Sequence, residues 1–104
     1  NKTLSTICLC RRAGKLIMGF DAAVQELVSP KTKAAGLLLA ADVSPKTEKE
    51  IRFAAEKCGK TVVRAGFTMD EAYSALGKRV GVLLFLDEGL YGSLIKGIAD
   101  KGEA

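Results

Sequence analysis

Two uninterrupted apolar runs constrain this chain more than anything else in it: AGLLLAAD at 35–42 and VGVLLFL at 80–86. A strand with one face in water alternates apolar and polar residues, because successive side chains point to opposite faces. These runs do not alternate, so each predicts a strand buried on both faces. A sheet built on such strands needs helices above and below it. No stretch reaches eighteen apolar residues, so no membrane span is expected.

The segments around these runs supply the helices. Residues 3–13 read as a helix with Leu4, Ile7 and Cys8 on one face and Arg11 and Arg12 in the last turn, where cations suit the helix dipole. Gly14 can end it. KLIM at 15–18 is short enough to be only a strand, and DAAVQELVS at 21–29 is a helix with Ala23, Val24 and Leu27 inward, stopped by Pro30. SPKTEKEIRFAAEKCG at 44–59 carries a clear helix start, with Ser44 as cap and Pro45 in first position, and Ile51, Ala54, Ala55 and Cys58 form its apolar stripe. TVVRA at 61–65 is a third strand. Thr68 and Glu71 stand in capping-box register before a helix that ends at Gly77. EGLYGSLIKGIAD at 88–100 is a last helix, weakened by Gly89, Gly92 and Gly97. Strands alternating with helices through residues 1–104 predict one domain, a three-layer α/β/α sandwich with a central sheet of about four strands. Short connections place several helix starts on one rim of that sheet.

With 104 residues, 48% of them apolar, the chain has enough material for one core. The start, NKTLSTICLCRRAGK, has its basic residues after the apolar part, the reverse of a signal peptide, so a cytoplasmic, reducing location is expected. Three cysteines fit it, since an odd count does not make a disulfide framework. Without histidine a mixed His/Cys zinc site is impossible, and no metal or cofactor is expected. The net charge of +4 and pI near 9.1 suit a polyanion, though only the placement of the charges can decide.

Catalytic patterns are missing. No strand-to-helix turn carries G-x-S-x-G, G-x-G-x-x-G or a P-loop, and GKR at 77–79 lacks the upstream glycine and the hydroxyl residue that would follow the lysine. No enzyme activity is expected. GLYG at 89–92 spells G-x-x-G, which clamps nucleotides in one class of RNA-binding domain, yet it falls at a helix start without a basic residue inside. LIMGFDAAVQEL at 16–27 is more informative. A strand hands over to a helix at Gly19, and a helix start offers unpaired N–H groups to phosphate. Gly19 leaves room for a nucleic-acid backbone. Asp21 can cap the helix, or accept hydrogen bonds from the N1–H and N2–H₂ edge of a guanine. Phe20 can shield a base or turn into the core. Arg11, Arg12 and Lys15 precede this rim in sequence; Lys31 and Lys33 follow the helix.

Three segments resemble the kink-turn-binding ribosomal protein family, with its pelota-type RNA-binding fold, nearest its small bacterial branch of the YlxQ and YbxF kind. They are LCRRAGKLIMG at 9–19, LLLAADVSPKTEKEI at 37–51 and ALGKRVGVLLFLDEGL at 75–90. In that family the RNA-reading motif lies on the first strand-to-helix turn and runs glycine, small residue, asparagine, glutamate, small residue, β-branched residue, lysine. Here residues 19–25 are G-F-D-A-A-V-Q. Gly19, Ala23 and Val24 match; Asp21 lacks the donor of the asparagine, Ala22 replaces the glutamate, and Gln25 replaces a phosphate-binding lysine. Each lost base-edge contact costs roughly 1–3 kcal/mol of discrimination. The resemblance implies a second contact loop at AGFTM, 65–69, where Phe67 and Met69 would cover an unpaired base, or Phe67 would instead staple the helix begun at Thr68 to the core. Ser44 falls on the same rim.

The expectation is a non-enzymatic protein that binds structured RNA, ribosomal or kink-turn-like, as a ribosomal or ribosome-associated component. Arg11, Arg12, Lys15 and the helix starts would hold phosphates, and Asp21, Gln25 and Phe67 would touch bases. The alternative is a protein-interaction module on the same fold.

Overall fold

The two apolar runs become the two central strands. In the computed structural model, which describes residues 2–101, the elements are α1 (Lys2–Arg12), β1 (Leu16–Met18), α2 (Phe20–Val28), β2 (Gly36–Leu39), α3 (Pro45–Lys57), β3 (Val62–Arg64), α4 (Met69–Leu76), β4 (Val82–Phe85) and α5 (Glu88–Lys101). The sheet order is β1-β4-β2-β3. Every residue of β2 and β4 is buried, whereas the edge strands β1 and β3 are only partly so. A strand flanked by two others and roofed by helices has no wet face, which is why those two segments never alternate.

β2 and β3 are parallel, while β4 runs antiparallel to both of its neighbours, pairing Val82 with Leu39 and Leu83 with Met18. Alternation divides the inward side chains between two cores. Leu38, Leu83 and Phe85 meet Leu4, Ile7 and Cys10 of α1, Ala72 and Leu76 of α4, and Tyr91, Leu94 and Ile98 of α5. Leu37, Leu39, Val82 and Leu84 meet Ala23 and Leu27 of α2 and Ile51 and Ala55 of α3. Three helices on one face and two on the other make an α/β/α sandwich, an α/β fold.

Local chemistry sets the helix ends. Ser44 Oγ accepts the Thr47 N–H at 3.2 Å with Pro45 in first position, and Thr68 and Glu71 form the full capping box. α1, α3 and α4 stop where Gly14, Gly59 and Gly77 follow them. One inward position differs from expectation. On α1 the fully buried cysteine is Cys10, not Cys8. Cys8 is turned toward α4, its thiol 3.5 Å from the Ala75 carbonyl. All three cysteines are free. GLYG lies within α5 and is no nucleotide loop: Tyr91 is buried, its ring 5.7 Å from that of Phe85 and its hydroxyl donating to the Leu37 carbonyl at 3.0 Å.

Candidate nucleic-acid interface

Because β1, β2 and β3 all run the same way, their carboxyl ends share one rim, and α2, α3 and α4 start there. The amino end of antiparallel β4 joins them. Backbone bonds stitch the rim together: Gly19 N–H to Val82 O at 2.9 Å, Ala40 N–H to Gly81 O at 3.0 Å, and Ala41 N–H to Phe67 O at 2.7 Å. Asp42 adds a side-chain tie, accepting the Met69 N–H at 2.9 Å.

Gly19 is the N-cap of α2, with φ 106° and ψ 154°. Residues with a Cβ rarely adopt that conformation, so glycine is required here by the backbone. No atom would lie within 4 Å of an added Cβ, and the space outside Gly19 is open. No side chain caps α2. Asp21 stands two residues inside the helix and is exposed, so its reading as the cap does not hold. The other starts on defined sheet connections are closed: α3 by Ser44, α4 by Thr68, Glu71 and Asp42, and α5 by Asp87, whose Oδ1 accepts the Leu90 N–H at 2.9 Å. The first turn of α2 thus presents peptide N–H groups and the positive end of a helix dipole to solvent.

The sequence-expected residues separate into three groups. Gly19, Phe20, Asp21, Ala22, Ser44 and Thr68 do meet at this rim, with Gln25 one turn further along α2. Ser44 and Thr68 are engaged as caps. Phe20 is half-buried and packs against the α2/α3 core, so the inward alternative is the one realised.

Phe67 needs correction as a base contact. It is 1% exposed and lies in the core with Ala72. It immediately precedes the N-cap Thr68, and Ala72 is four residues into the helix, which is the arrangement of a hydrophobic staple. Only its backbone reaches the rim.

Arg11, Arg12 and Lys15 also need correction. Lys15 O accepts the Leu86 N–H at 2.9 Å, just past the carboxyl end of β4, whereas Gly19 bonds to Val82 at the amino end of that strand. Four residues of strand separate those two points, about 13 Å. The three cations precede Gly19 in sequence, but β1 carries the chain across the sheet between them. They stand at the opposite rim, where the Arg11 guanidinium donates to the Leu76 carbonyl at the end of α4.

Sequence reasoning missed Lys46, Arg64 and Arg79, cations that do flank the Gly19 rim. Lys46 is in the first turn of α3, where the dipole favours carboxylates; a lysine placed against that preference was the available signal. Arg79 reaches the rim through Asp70, 3.0 Å away, at the start of α4. The rim is electrostatically two-sided. Asp42, Asp70 and Glu71 lie toward α4, each tied into a cap or ion pair. The α3 side is mildly basic: Lys46, Lys49 and Arg64 stand at the rim end of α3 and β3 with Glu48 and Glu50, and Glu48 is shared by Arg52 and Arg64. Among the described residues no group of three or more His, Cys, Asp or Glu is placed to hold a metal, and no helix is long and apolar enough to cross a membrane.

No family model matches the chain, and no curated protein matches it. A solved structure is similar: a protein of unknown function from Bacillus halodurans, at TM-score 0.80 and 23% identity, covering 91% of this chain and 94% of that one. At that identity the likeness shows the fold.

Proposed function

We propose that the chain is a non-enzymatic binder of structured RNA, of ribosomal or kink-turn-like type, and that it grips the RNA at the Gly19 rim. The observation that carries this reading is the open amino end of α2: it alone among the starts of α2 to α5 lacks a side-chain cap, and it is bordered by the basic flank of α3. Uncapped N–H groups bind phosphate oxygens without needing a particular sequence. Lys46, in the first turn of α3 and in no ion pair among the described residues, adds a cation on that side. The family resemblance of residues 9–19, 37–51 and 75–90 supports the same surface, although Ala22 and Gln25 weaken the reading of sheared G·A pairs. Shape and backbone contacts then dominate over base identity.

A protein-docking role on the same fold is favoured by one observation. Ala22, Gln25 and Val28, at successive three-residue steps of α2, give that helix an exposed strip without charge, and Val28 is 70% exposed.

A filter-binding titration separates the two. The probes are a stem with a kinked internal loop of G·A pairs and a plain duplex of equal length. RNA binding predicts tighter retention of the kinked probe and a steep fall with salt. Lys46→Glu should lower the slope of log affinity against log salt by about one or more, while Lys15→Glu at the far rim should change neither slope nor affinity beyond about twofold. Salt-insensitive or absent retention, or equal losses from the two variants, would overturn the placement at Gly19.

A further inference from the structure

We propose that the solvent face of α3 is a track for a short single-stranded run of nucleotides leaving the structured RNA at the rim, with Phe53 as its stacking platform; this rests on the RNA-binding reading. Phe53 is 61% exposed in the middle of a helix whose opposite face is already anchored by Ile51 and Ala55. Its ring is therefore not needed to hold α3 in place. Its neighbours on the surface are charged rather than apolar. Lys46 precedes it by seven residues and Lys57 follows by four, so the three share one stripe at helical spacing, spanning about 10 Å and 6 Å along the axis. The Lys57 ammonium already lies 4.5 Å from the ring centroid, over one face of the ring.

The charge pattern selects a polyanion. Arg52 and Arg64 share Glu48 at 2.8 and 2.9 Å. Lys46, Lys49, Lys57 and Lys60 form no ion pair among the described residues. Lys46, Lys49, Arg52 and Phe53, together with Glu50 and Glu56, line a shallow depression of about 640 Å³. Phosphates would follow the unpaired lysines, which outnumber the two carboxylates on this face. A base laid on Phe53 needs no hydrogen-bond partner, because every base has a π-face, so the track is sequence-tolerant. α3 starts at Ser44 on the rim and runs away from it. A strand emerging from the bound RNA would meet Lys46 first and Phe53 next.

The experiment compares three probes: the kinked stem, the same stem with a six-uridine 3′ extension, and the six-uridine oligonucleotide alone. Uridine self-stacks weakly, so little is lost on unstacking the tail. The extension should strengthen binding by about five- to tenfold. Phe53→Ala should abolish that gain and leave the unextended stem unchanged, and Phe53→Trp should restore it. An extension that adds nothing to a stem that binds refutes the track and leaves the rim reading standing. Phe53-dependent binding of tailed or free uridine probes, with no retention of the bare stem, supports the track and refutes the rim. No retention of any probe refutes both. Concentration-dependent dimers abolished by Phe53→Ala also overturn the track, because its face would then be a protein interface.

Discussion

Gly36→Ala is the sharpest test of how α5 packs on the sheet. Gly36 opens β2, and Tyr91 of α5 lies directly on it. An added Cβ would stand 2.2 Å from two ring carbons and 2.7 Å from the hydroxyl oxygen. Carbon atoms in contact sit about 3.5–4.0 Å apart, so the ring would have to retreat by more than an ångström. It has little freedom to do so. Its hydroxyl donates to the Leu37 carbonyl at 3.0 Å and meets Thr61 Oγ1 at 3.1 Å, and the ring packs on Phe85. Overpacking of this kind costs about 1–3 kcal/mol, and each hydroxyl bond broken adds about 1 kcal/mol. Removing glycine from a strand returns roughly 0.5–1 kcal/mol. A net loss of about 2–3 kcal/mol follows, large against a domain stability of roughly 5–15 kcal/mol. Urea unfolding followed by circular dichroism measures it. In a Tyr91→Leu background the same substitution should cost less than about 1 kcal/mol, because residues in direct contact couple. Equal costs in both backgrounds, or a loss below about 0.5 kcal/mol in the parent, would refute the reasoning.

Two further outcomes concern stability. Thr68→Ala removes the acceptor for the Glu71 N–H and should cost about 1 kcal/mol, lowering the thermal midpoint by about 4 °C; an unchanged midpoint would mean that Asp42 alone holds the start of α4. Stability should also fall in alkali. Burial, with the Asp87 charge, pushes the Cys10 thiol up, and burial pushes the Tyr91 phenol up against its hydrogen bonds to Thr61 and Leu37. Both groups hold their protons in the folded chain at pH values where the unfolded chain has lost them. Their contribution is complete below the unfolded values, about 8.5 for the thiol and about 10 for the phenol, and is lost as pH rises past them. Urea midpoints taken up the alkaline range should decline, and Cys10→Ala should remove the earlier part of the decline.

The fold was legible wherever one residue's chemistry decides a local matter. Two-sided burial picked out β2 and β4, and Ser44, Pro45, Thr68 and Glu71 marked where α3 and α4 begin. Contacts between distant segments were not legible. Nothing near Gly36 announces a tyrosine more than fifty residues later, and Asp42 reads as the end of an apolar run rather than as a partner for Met69. Cys8 and Cys10 are two apart on one helix, and which of them faces inward depends on where α4 lies. The site suffered from the same blindness. Lys15 and Gly19 are four residues apart in sequence, yet an extended segment turns that short interval into the width of a sheet. Phe67 shows the opposite error: an aromatic residue in a short loop looks available until the helix after it is docked. Lys46 was visible as a residue, and its cost to the helix dipole was the clue.

The seat of β4 has a consequence for how the molecule is made. β1 and β2 are not paired; the strand between them comes from residues 82–85, more than forty residues after β2. While the polypeptide is being synthesised, the first strand has no hydrogen-bonding neighbour until Val82–Phe85 has emerged. Any fragment ending before Val82 therefore has a gap in the middle of its sheet rather than a missing edge, and β1 joins the sheet only when β4 is in place.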